Sequence, residues 1–114
     1  MPRTGTHGHG VRGRAFCWTL PNYTEEEYQQ LMTEELFLIL GAVYICFQKE
    51  IAPTTLMPHL QGYIQLSEQK SMKFLKENLS RRAHFEVAKG NAEQNKAYCS
   101  KEGGTDFFEK GVLC

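Results

Sequence analysis

Residues 59–66, His-Leu-Gln-Gly-Tyr-Ile-Gln-Leu, alternate polar and apolar side chains with a period of two. Only an extended strand places every second residue on one face, so Leu60, Gly62, Ile64 and Leu66 share one side and His59, Gln61, Tyr63 and Gln65 the other. Just upstream, Ala42 to Glu50 is β-branched and aromatic and reads as a second strand. The prolines and threonines of residues 51–58 make the connection a loop. An antiparallel hairpin at the centre of a sheet is therefore the first constraint on the fold, with a polar, aromatic outer face expected on its second strand.

The rest of the chain supplies partners for that hairpin. Arg14 to Leu20 is an aromatic strand bounded by Pro21-Asn22. Thr24-Glu25-Glu26-Glu27 has capping-box spacing, and Tyr28, Leu31, Met32 and Leu36 continue one helix at three-to-four spacing until Gly41. Ser71 to Leu79 predicts a second helix with Met72, Leu75 and Leu79 inward, and Ala83 to Val87 a short strand. Asn91 caps a third helix running to about Ser100, and Phe107-Phe108 mark a last strand. The order β-α-β-β-α-β-α-β predicts an α+β domain: an antiparallel five-stranded sheet of the split βαβ (ferredoxin-like) class, with helices on one face. Residues 1–13 are rich in Gly, Arg and His and read as a flexible, mildly basic arm, with His7 and His9 at most a loose metal site; residues 14–110 form the domain and 111–114 its end.

Several functional classes are unsupported. No apolar run reaches membrane-spanning length, and no signal-peptide pattern opens the chain, so a soluble intracellular protein is expected. Cys17, Cys46, Cys99 and Cys114 form no C-x-x-C pair, which argues against zinc or a disulfide framework; Cys17 and Cys46 read as small hydrophobes. The formal net charge is +0, but Lys70, Lys73, Lys76, Arg81, Arg82, Lys89, Lys96 and Lys101 crowd one segment while Glu25, Glu26, Glu27, Glu34, Glu35 and Glu50 crowd another. One side is expected to attract phosphate and another to be acidic.

Chemistry enters through two patterns. His59 and Gln61 share a strand face, and a hairpin return brings Glu50 close, giving one imidazole nitrogen and two oxygens suited to Mg²⁺ or Mn²⁺. Tyr98 and Lys101 lie three apart on a predicted helix and so share a face. A tyrosine hydroxyl ionises near pH 10 in isolation, about three units above neutrality, and needs a nearby cation or an activated target to act as a nucleophile. Trp18 and Tyr63 are candidates for stacking nucleobases, Tyr63 the better placed of the two, since Trp18 also fits a core position.

The ordered set Cys17-Trp18-Thr19-Leu20-Pro21-Asn22, Pro58-His59-Leu60-Gln61-Gly62-Tyr63 and Tyr98-Cys99-Ser100-Lys101 resembles the three motifs of HUH endonuclease domains in viral rolling-circle replication initiators, above all the Rep proteins of circoviruses. The likeness covers roughly residues 14–104. It implies an HUH endonuclease fold in which Glu50, His59 and Gln61 hold a divalent ion, Tyr98 attacks a phosphodiester of single-stranded origin DNA and Lys101 assists. It further implies contacts from Thr19, Leu20 and Asn22 to an origin stem-loop nonamer, a host-nuclear location, a possible oligomer and a helicase domain in the full-length protein. No G-x-x-x-x-G-K-[ST] phosphate loop is present, so the chain is expected to be the N-terminal part of such a protein. Pro21 replaces the first Asn of motif I, and Gln61 replaces the second His of motif II. The competing reading is a non-catalytic module that stacks single strands on an antiparallel sheet.

Overall fold

The computed structural model describes residues 11–113. The arm expected at residues 1–13 falls outside them up to residue 10, including His7 and His9, as does Cys114. Arg12 and Gly13 are strand rather than arm: they pair with Ser71 and Lys70.

Five strands form one sheet: β1 (Arg12–Pro21), β2 (Ala42–Ile51), β3 (Pro58–Ser71), β4 (His84–Val87) and β5 (Thr105–Gly111). Their order is β4-β1-β3-β2-β5, and each pairing is antiparallel. The hairpin read from the sequence is β2–β3, at the sheet's centre. β3 runs on to Ser71 through polar residues that carry no alternation signal. There Arg14 Nη2 donates to the Ser67 carbonyl at 2.9 Å and Arg12 Nη2 to the Gln69 carbonyl at 3.3 Å, tying β1 to the strand.

The helices are α1 (Glu25–Leu31), α2 (Glu34–Leu40), α3 (Met72–Asn78) and α4 (Ala92–Cys99). The single helix expected before Gly41 is two. Thr33 breaks it because its hydroxyl accepts from the Leu36 amide at 3.2 Å and starts a new cap. Gly41 ends α2 with φ +68°, a left-handed conformation that glycine adopts without Cβ strain.

Helices cover both faces of the sheet, not one. On the first, α1, α2 and α3 bury Leu31, Leu36, Leu40 and Leu75 against Phe16, Trp18, Leu20, Phe47, Leu60 and Ile64. Each such side chain contributes about 1.5–3 kcal/mol of transfer free energy. Gly62 leaves room for the Trp18 indole: a Cβ there would sit 2.1 Å from a ring carbon. On the second face, α4 lays Cys99 over Tyr44, Cys46 and Tyr63. The polar, aromatic face expected on β3 is therefore covered along Gln61, Tyr63 and Gln65.

The acidic and basic segments meet in part. Arg82 bridges to Glu27 at 2.7 Å and Lys101 reaches Glu50 at 3.6 Å, whereas Glu34 pairs with Lys110, outside the basic segment.

Candidate functional site

The antiparallel register of β2 and β3 sets Glu50 opposite His59 and Gln48 opposite Gln61. All four side chains point to the α4 face, because each differs from its neighbour by two residues. His59 Nε2 lies 3.3 Å from Glu50 Oε1. Both groups are mostly withdrawn from solvent, with side-chain exposures of 19% and 10%.

Gln61 is oriented by β1. Thr19 Oγ1 donates to Gln61 Oε1 at 3.2 Å, and Gln61 Nε2 donates to the Trp18 carbonyl at 3.3 Å. The Trp18 carbonyl can only accept, so it fixes the NH₂ end of the amide toward itself and leaves Oε1 for the Thr19 hydroxyl. Among the described residues no three His, Cys, Asp or Glu side chains group as a metal site. An ion at Glu50 and His59 would take its third protein donor from the Gln61 oxygen. The donor set of carboxylate, imidazole and amide suits a hard divalent cation such as Mg²⁺ or Mn²⁺.

α4 presents the tyrosine. Its start is a capping box of Asn91 and Gln94. Its buried residues are Asn95 and Cys99. Asn95 Oδ1 accepts from the Cys17 thiol at 3.0 Å, while its Nδ2 donates to the Lys89 and Asn91 carbonyls at 2.9 Å each. The Cys99 thiol is pushed above its ordinary range by a hydrogen bond with the free Cys46 thiol and by burial, which keeps it protonated. The Tyr44 hydroxyl donates to Glu109 at 2.6 Å and Lys96 pairs with it at 3.2 Å, and the two hold that carboxyl below its usual range.

With those residues facing the sheet, Tyr98 is left 53% exposed. Lys101 falls just beyond the helix, after the Ser100 cap, rather than within it. Its ammonium lies 3.8 Å from the centroid of the Tyr98 ring and 3.6 Å from Glu50 Oε1. One cation thus touches both halves of the site.

Tyr98 also borders a cleft of about 310 Å³ with Cys17, Trp18, Thr19, Gln61, His84 and Glu86. His84 pairs with Thr19 and Glu86 with Cys17 across β1 and β4, which aligns them along the cleft wall. A depression of about 490 Å³ beside α1 lies near Leu20 and Arg82 and contains none of the proposed catalytic or metal-binding residues.

The DNA-contact expectations divide. Trp18 is 1% exposed, Leu20 0% and Tyr63 2%, so none offers a ring or side chain for a base to stack upon. Tyr63 instead accepts from Gln65 Nε2 at 2.9 Å, and burial raises its phenol above the ordinary tyrosine range. Thr19 is half-buried and directed at Gln61. Asn22 is exposed with φ +49°, and its amide donates to the Pro58 carbonyl at 2.8 Å, joining the end of β1 to the start of β3. Pro21 closes β1 opposite His59. Gln48, His84 and Glu86 are site residues that the sequence reading missed. The only signal was parity: each lies an even number of residues from a recognised position or from a partner on its own short strand.

Comparison with known proteins matches residues 13–102 to the family described as "Putative viral replication protein". The chain is 44% identical over 100 residues to the replication-associated protein of Human associated cyclovirus 1, covering 86% of this chain and 33% of that protein. It is 42% identical over 90 residues to the replication-associated protein of Pigeon circovirus, covering 79% and 27%. Para-Rep C1 of Faba bean necrotic yellows C11 alphasatellite is 38% identical over 92 residues, covering 81% and 32%. The chain spans about a third or less of the length of these curated relatives.

Proposed function

The chain belongs to the replication-associated (Rep) protein family of circular single-stranded DNA viruses, and on that premise we propose that it is a metal-dependent origin endonuclease and strand-transferase of rolling-circle replication. The observation that carries this reading is the Lys101 ammonium, in contact with the Tyr98 ring and with the carboxylate of Glu50.

In this mechanism the Tyr98 hydroxyl oxygen attacks a phosphorus of single-stranded origin DNA. The P–O3′ bond breaks, the phosphotyrosine P–O bond forms, and the 5′ end stays on the protein. The phenolic proton leaves to solvent as the 3′ oxygen gains one. Lys101 offsets the negative charge that gathers on the phenolic and phosphoryl oxygens. Glu50, His59 and Gln61 would hold Mg²⁺ or Mn²⁺, which when bound would supply Lewis-acid polarisation of the phosphate. One ester replaces another, so the reverse attack by a 3′ hydroxyl rejoins the strand.

The cleft walled by Thr19, His84 and Glu86 receives a nucleotide flanking the scissile phosphate. A carboxylate at such a wall accepts from an exocyclic amine of a base. The competing module, which stacks strands on an open sheet, is disfavoured by Tyr44 and Tyr63, which lie beneath α4 rather than on a free surface. The origin stem-loop nonamer is the expected substrate, with the helicase domain, oligomerisation and host nucleus belonging to the full-length protein.

The test is covalent capture. With Mn²⁺ and a single-stranded oligonucleotide bearing a stem-loop nonamer, the protein should form an adduct that survives a denaturing gel. Tyr98→Phe and EDTA should each abolish it. An adduct of wild-type yield from Tyr98→Phe would overturn the nucleophile assignment, and mobility shifts under native conditions only would favour the binding module.

A further inference from the structure

Gln48 is 2% exposed and sits on β2 two residues before Glu50. Its Nε2 donates to Glu50 Oε2 at 2.9 Å and to the Lys101 carbonyl at 3.1 Å. Both partners are acceptors only, which fixes the NH₂ end of the amide between them. Glu50 is thereby held by one oxygen, leaving Oε1 toward His59 and Lys101. The same amide pins the chain just past the end of α4, three residues after Tyr98. Behind it stands Gly104: a Cβ at that position would lie 2.2 Å from Gln48 Nε2.

We infer that Gln48 is a positioning residue that couples the cation site to the tyrosine helix. The inference rests on the metal reading given under Proposed function. One NH₂ group sets the direction of the Glu50 carboxylate and the seat of Lys101 together, so disturbing it changes ion binding and nucleophile placement at once. Hydrogen bonds behind a ligating carboxylate commonly govern metal affinity by 10–100-fold. Gly104 is part of the device because only a residue without a side chain lets the amide sit there.

The test uses the whole chain with Mn²⁺ alone, followed by the electron paramagnetic resonance signal of free Mn²⁺ in the absence of DNA. Gln48→Met keeps the volume and removes the donor; it should weaken Mn²⁺ binding about ten-fold or more. It should also leave a slower adduct rate at saturating Mn²⁺, because the Lys101 anchor is lost as well. Gly104→Ala, which alters none of the proposed ligands or catalytic residues, should weaken Mn²⁺ in the wild-type background and have no effect in a Gln48→Ala background, where the space has been freed. Wild-type affinity in both Gln48→Met and Gly104→Ala overturns the inference, as does an additive loss in the double variant. If Gln48→Met does not fold, the Gly104→Ala pair decides alone. Failure of the unaltered protein to bind Mn²⁺ overturns instead the metal reading on which the inference rests.

Discussion

The Lys101 ammonium sits 3.8 Å from the centroid of the Tyr98 ring. That contact joins a cation to the face of an aromatic ring on a residue that is 53% exposed. The same ammonium reaches Glu50 Oε1 at 3.6 Å, so its charge is shared between a carboxylate and the place where a phosphate would arrive.

Lys101→Met should therefore lower the rate of adduct formation by roughly 10²-fold, the scale seen when one charge-stabilising donor is removed from an active site. Binding of the single strand should fall far less, since one cation among several is lost. Single-turnover rates and native-gel affinities measured on the same variant separate the two effects. Equal losses in both would make Lys101 a binding residue only.

Gly62 lies between Gln61 and Tyr63, whose side chains point to the α4 face, yet its own side faces the other way. A Cβ at residue 62 would meet the Trp18 indole at 2.1 Å. Gly62→Ala should cost about 1–3 kcal/mol by overpacking, and a domain of this size then loses roughly 5–15 °C in Tm. Thermal unfolding without metal or DNA measures it, and an unchanged Tm would mean that Trp18 yields without cost.

How much of this was legible in the sequence depends on which force placed each residue. The β2–β3 hairpin and its pairing of Glu50 with His59 followed from period-two alternation, which has one geometric solution. The boxes at Thr24 and Asn91 were legible at Thr24–Glu27 and at the Asn91 cap because capping chemistry is local. The seat of α4 was not. Its buried residues are Asn95 and Cys99, a polar and a small side chain, so no apolar stripe announces which face meets the sheet. Without that, the alternation of β3 alone puts Tyr63 on an open face. Thr33 likewise reads as one more helical position until its hydroxyl is seen capping Leu36. Gln48 was invisible for a similar reason: a polar residue in an apolar strand does not reveal its two acceptors.

Tyr63 supplies a direct check on that correction. It is 2% exposed, and its hydroxyl accepts from Gln65 Nε2 at 2.9 Å. Tyr63→Phe should leave affinity for single-stranded DNA within about two-fold, because no base reaches the ring. Tyr63→Ala should instead destabilise the fold by about 3–5 kcal/mol, as for other large aromatic deletions. A marked loss of DNA affinity in a stably folded Tyr63→Phe protein would show that α4 lifts from the sheet when DNA binds.

The link between Glu27 and Arg82 predicts how stability responds to acid. Arg82 Nη2 and Nε reach Glu27 at 2.7 and 3.0 Å, and the guanidinium hydrogen bond holds the Glu27 carboxyl below its ordinary 4.5. Burial opposes that shift, and the Thr24 amide at 2.8 Å adds to it. A carboxyl with a lower pKa folded than unfolded binds fewer protons when folded. Its contribution is complete above about pH 4.5 and drains away as pH falls through the lowered folded value. Glu27→Gln should thus be less stable than the parent at pH 7, with the gap closing as the solution is acidified below 4.5. The pair is partly solvated, with side-chain exposures of 46% and 29%, so the gap should be small and should shrink in high salt. Denaturant midpoints of both proteins across pH 3 to 7 measure it; a gap that widens toward acid would overturn the lowered folded value of the Glu27 carboxyl, because Arg82 and Thr24 both act in the same direction.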